Sequence, residues 1–93
     1  MDKRKMIHEI LDLILDINGM EERKRSSTGD KPTAFFSYSG HINGLSVQVY
    51  GKGWTANGDP DIMPYAYVGW KDDRLIKMLD DLKRFKEEMA NAL

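Results

Sequence analysis

The chain contains no cysteine, which excludes disulfides, thiolate zinc sites and cysteine nucleophiles together. It has almost no net charge: 14 Lys and Arg stand against 15 Asp and Glu, leaving −1 at pH 7. That balance excludes a global attraction to nucleic acid or to an anionic membrane, so any such binding has to come from a local patch. No apolar run approaches the roughly 20 residues that span a bilayer, and no membrane partner is expected. Gly51-Lys52-Gly53 lacks the Ser or Thr that must follow Gly-Lys in a phosphate-binding loop. No serine sits in a nucleophile elbow, and no Glu-x-x-His pair accompanies the two histidines. The expectation is therefore a protein with no catalytic residues, no metal and no cofactor.

Lys3, Arg4 and Lys5 precede an apolar stretch, as in a secretory signal, but Glu9, Asp12 and Asp16 interrupt it and no small-residue cleavage site follows. The chain reads as cytoplasmic. Its 93 residues suit one domain, 1–93, and 41% apolar with 31% charged residues suits a folded globular chain.

The strongest local signal is a hairpin. Asn43-Gly44 favours a two-residue turn with positive φ, which puts Ile42 opposite Leu45, Tyr38 opposite Val49 and Phe36 opposite Gly51. Alternation then gathers Ala34, Phe36, Tyr38, Ile42, Leu45, Val47 and Val49 on one face, a core. Phe35, Ser37, Ser39, His41, Ser46, Gln48 and Tyr50 form the other face.

Before the hairpin, residues 2–18 read as a helix with Asp2 as N-cap and Gly19 as terminator. Met6, Ile7, Ile10, Leu13, Ile14 and Ile17 share its apolar face, which Leu11 and Leu15 widen. Met20 to Ser26 reads equally as a charged edge strand or as loop. After the hairpin, Gly51 to Pro64 is a long connection of the kind that is often functional. Tyr65 to Trp70 alternates like a strand, with Ala66, Val68 and Trp70 assigned to the core and Tyr65 and Tyr67 to the outer face. A last helix from about Asp73 carries Leu75, Met78, Leu79, Leu82, Phe85, Met89 and Leu93 as a narrow stripe, with Asp72 as its N-cap. Two amphipathic helices and one apolar sheet face predict an α+β two-layer sandwich: helix, three or four antiparallel strands, helix, with both helices on one face.

The open face gives the candidate partner-binding residues Phe35, Tyr50, Trp54, Tyr65 and Tyr67, rigid amphipathic anchors for a protein partner. The same rings can stack bases, with Arg23, Lys24 and Arg25 as nucleic-acid contacts. Asn57, Asp59 and Asp61 alternate as in a calcium loop, yet Ile62 and Val68 occupy the positions where that loop needs Gly and Glu, so turn chemistry is the better reading.

The order helix, three strands, helix resembles that of the double-stranded RNA-binding domain. That family implies RNA contacts from a Gly-Pro-x-His loop and from a Lys-Lys-x-x-Lys cluster opening the last helix. Here the corresponding positions are Gly40-His41, without the proline, and Lys71-Asp72-Asp73-Arg74, where carboxylates repel phosphate. The leading expectation is a small non-enzymatic protein that binds another protein or a second copy of itself. Its size and near-neutral charge also suit, by analogy alone, the regulators and inhibitors made by phages and mobile elements. The alternatives are an RNA-binding module and a structural homodimer formed through Leu11 and Leu15 of the first helix.

Overall fold

The computed structural model describes residues 2–23 and 29–91. It is an α+β protein in the order α1 (Lys3–Asn18), β1 (Thr33–Ser39), β2 (Gly44–Tyr50), β3 (Tyr65–Tyr67) and α2 (Asp73–Asn91). The strands form one antiparallel sheet in the order β1-β2-β3. Among the described residues, no helix is long and apolar enough to cross a membrane.

α1 starts and stops where its ends have chemistry for it. The Asp2 carboxylate accepts from the Lys5 N–H at 2.8 Å, and Gly19 donates to the Leu15 carbonyl with φ +72°. Met6, Ile10, Leu13, Ile14 and Ile17 are buried, but Leu11 and Leu15 remain 37% and 42% exposed. α2 buries Leu75, Met78, Leu79 and Leu82, with Phe85 and Met89 at the core margin. Between them the helices bury the sheet face carrying Ala34, Leu45, Val47, Val49 and Ala66.

Ion pairs show the direction in which the helices lie. Lys3 meets Asp72, Glu9 meets Lys83 and Asp16 meets Lys86, at 3.9, 3.0 and 2.7 Å, so positions rise together and the helices run parallel. Within α2, Lys77 pairs with Asp81 at 3.1 Å. All are exposed to some degree, and each contributes about 0–1 kcal/mol.

The hairpin departs from the expected turn. Four residues, Gly40 to Asn43, separate the strands, and Ser39 pairs with Gly44, Tyr38 with Leu45 and Phe36 with Val47. Phe36 thus faces Val47 rather than Gly51, a slip of four positions. An even slip preserves the faces. The observed register wins because it sets Phe36, Tyr38 and Ala34 against Val47, Leu45 and Val49, where the two-residue turn sets Phe36 against a glycine. Asn43 keeps the predicted positive φ, +46°. Tyr38 and Ile42, expected in the core, lie at the loop end of the hairpin and are exposed; the Tyr38 hydroxyl donates to Asn43 Oδ1 at 2.9 Å.

Met20 to Arg23 is not a strand, and residues 24–28 lie outside the described part of the chain. Asn18 takes over an edge role there. Its amide donates to the Ala34 carbonyl at 2.9 Å and accepts from the Ala34 N–H at 2.7 Å, as a neighbouring strand would.

Candidate functional site

The aromatic residues on the face away from the helices form two groups. The first is Phe35, Tyr50 and Trp54, with Phe35 edge-on to Tyr50 at 5.8 Å and to Trp54 at 5.9 Å. Only Tyr50 in this group is covered; Phe35 stays 40% exposed and Trp54 is half-buried. Tyr50 is only 8% exposed, which corrects its assignment as an accessible anchor. The cause is the connection after β2. Asp61 holds its two ends together, accepting from the Gly51 N–H at 2.8 Å and donating its own N–H to the Val49 carbonyl at 2.7 Å. Ile62 then bridges to Val49. Asp61 therefore serves as a loop clasp; among the described residues, no three metal-ligating side chains come together.

The connection also packs against the chain ahead of β1. Gly53 has φ +99°, and a Cβ there would lie 1.8 Å from the Gly29 carbonyl oxygen. Only glycine fits this contact.

The second group is Tyr65, Tyr67, Trp70 and Arg74. β3 ends at Tyr67, and a turn closed by Trp70 N–H to the Tyr67 carbonyl at 3.0 Å brings Trp70 back over the strand. Its ring meets Tyr67 edge-on at 4.6 Å and Tyr65 at 6.0 Å. Trp70 is thus not a core residue, as strict alternation implied; it is 39% exposed beside Tyr65 at 49% and Tyr67 at 36%. Arg74, in the first turn of α2, places its guanidinium carbon 5.1 Å from the ring centres of both Tyr65 and Trp70. Trp70 and Arg74 are the members that sequence reasoning missed. Gly69, a turn residue interrupting the alternation just before Trp70, was the available signal.

Beside this group runs a groove of about 310 Å³ between β3 and α2. Ile62, Met63, Pro64 and Tyr65 form one wall, and Arg74, Lys77, Met78 and Asp81 form the other.

The basic cluster takes a different role from the one expected. The Arg23 guanidinium donates to Thr33 Oγ1 at 2.6 Å, to the Pro32 carbonyl at 2.9 Å and to the Asn18 carbonyl. Its donors thus tie the end of α1 to the start of β1, and that corrects its assignment as a phosphate contact. Lys24 and Arg25 lie outside the described residues. At the start of α2, where the RNA-binding family carries lysines, Asp72 pairs with Lys3 and Arg74 lies against the aromatic rings.

What the fold defines is a two-layer α+β sandwich with two aromatic groups on its free face, one built on a covered Tyr50 and one with every ring exposed. Comparison with protein-family models, with curated proteins and with solved structures gives no match for this chain.

Proposed function

We propose that this chain is a cytoplasmic, non-enzymatic binding protein that acts through protein–protein contacts at Tyr65, Tyr67, Trp70 and Arg74. One observation carries this reading: three large rings stand exposed together, braced against one another and against a guanidinium. Tyrosine, tryptophan and arginine are the residues that most often dominate binding energy, and bracing lowers the ordering cost of using them. Phe35 and Trp54 flank this surface and support it; they are secondary contacts in this reading. The phage or mobile-element setting remains an analogy of size and charge.

The test is capture of partners from a host lysate with a photoreactive side chain at position 67, with and without nuclease. The expected outcome is a cross-linked polypeptide that survives nuclease and disappears in Trp70→Ala. An RNA partner would instead vanish on nuclease treatment, and its affinity would fall steeply with salt. That result would replace this reading.

A second reading has its own observation. Leu11 and Leu15 stay exposed on α1 although its other large aliphatics are covered. This suits a homodimer through that stripe. Sedimentation equilibrium would then show a dimer that Leu15→Glu dissociates; a monomer at all concentrations removes it.

A further inference from the structure

We propose that the outer edge of β3 accepts an extended acidic peptide as a fourth strand, with a carboxylate of that peptide on Arg74. This rests on the protein-binding reading above and specifies its ligand.

The backbone supplies the first argument. Val49 N–H bonds to Ile62, Val47 N–H to Pro64, and Val68 N–H to Asn43, at 3.0, 3.0 and 2.9 Å. Successive residues of an antiparallel strand direct their N–H and C=O groups to opposite sides. Residues 62, 64, 66 and 68 therefore serve β2, and Met63, Tyr65 and Tyr67 direct theirs outward. The Tyr67 carbonyl is taken by Trp70. The N–H and C=O of Met63 and Tyr65 and the N–H of Tyr67 have no protein partner among the described residues. Folded proteins usually blunt such a row with charge, proline or a bulge. Here the stretch from Ile62 to Tyr67 has no charged residue, and Pro64 stands in the phase that faces β2. The other edge of the sheet is treated differently, because Asn18 already occupies Ala34.

The groove supplies the second argument. A strand added about 4.8 Å outside β3 sends alternate side chains to opposite faces. One set enters the groove over Ile62, Met63 and Met78, and the other lies beside Tyr65 and Trp70. Main-chain bonds supply affinity and the alternate pockets supply selectivity.

Charge selects the occupant. Lys77 is paired with Asp81, but Arg74 has no carboxylate partner among the described residues and is held by rings alone. Those contacts leave the edge of its guanidinium for a carboxylate. None of the strands of this chain, β1, β2 or β3, contains Asp or Glu. A strand from a second copy therefore brings no carboxylate, and the partner is a different polypeptide. Asp73, next to Arg74 in the chain, disfavours a polyphosphate more than it does a single carboxylate.

The experiment selects short random peptides from a display library on the intact chain, then measures synthetic versions of the enriched sequences by fluorescence anisotropy. Alternating apolar peptides with an Asp or Glu at a fixed place are expected. N-methylation of the peptide amides in one alternate phase should weaken binding about tenfold or more, and in the other phase about twofold or less. Arg74→Gln should weaken it about tenfold with the thermal melt unchanged. An oligouridine competitor should displace nothing. Equal effects of N-methylation in both phases overturn strand addition; if Trp70→Ala still abolishes binding, the protein-binding reading survives. Enrichment without acidic residues, indifference to Arg74→Gln, displacement by oligouridine, or no enrichment at all each overturns the proposal.

Discussion

The Phe35–Tyr50–Trp54 group and the Tyr65–Tyr67–Trp70 group share one sheet face and similar composition, yet they are packed differently. The first includes Tyr50, covered beside a connection clasped by Asp61 and seated by Gly53, while Phe35 in the same group stays exposed. The second lies on a three-residue edge strand, and its exposed rings brace one another and Arg74. Aromatic content does not distinguish a structural surface from a binding surface; what covers the rings does. A face becomes available where the chain leaves it uncovered.

This contrast can be broken most decisively at Tyr50. Tyr50→Ala should cost about 3 kcal/mol in equilibrium urea unfolding, because it empties a covered site. A cost near that of a surface change would merge the two groups and remove the distinction. Next in size is Gly53→Ala, which forces a Cβ onto the Gly29 carbonyl at positive φ and should cost about 2 kcal/mol. In a Trp70→Phe background it should also shift Trp54 fluorescence to the red, reporting the loosened cover. An unchanged melt and spectrum would show that the connection does not depend on this contact. The smallest effect belongs to the exposed group. Trp70→Ala should cost about 1 kcal/mol or less in the same unfolding assay, the scale of lost ring–ring contacts. A loss as large as that at Tyr50 would make Trp70 a core residue and would undercut its proposed role in binding.

Much of the architecture was legible because local signals agreed with one another. Asp2 and Gly19 bound α1, periodicity marked both helices, and alternation sorted the hairpin faces. The register was not legible from Asn43-Gly44, since a four-residue loop also uses a positive φ at Asn43 and pairs the core side chains better. The site was half legible. Tyr65 and Tyr67 followed from alternation, but Trp70 depended on a turn that reverses its direction and Arg74 on how α2 passes the β3 edge. Burial of Tyr50 depended on where a long connection folds back, which no periodic pattern encodes. Arg23 looked like an exposed cation in sequence because its partners, Asn18, Pro32 and Thr33, converge on it only after α1 and β1 have packed.

The parallel setting of α1 and α2, shown by the three ion pairs between them, also determines how the molecule carries its charge. Each helix bears about half a positive charge at its start and half a negative one at its end. In an antiparallel pair these dipoles cancel; here they add. A chain whose net charge is only −1 therefore has a head and a tail, with both helix starts on the side of Asp2 and Asp73. Salt confines that asymmetry to the first and last turns, where it acts on groups that dock at the helix ends.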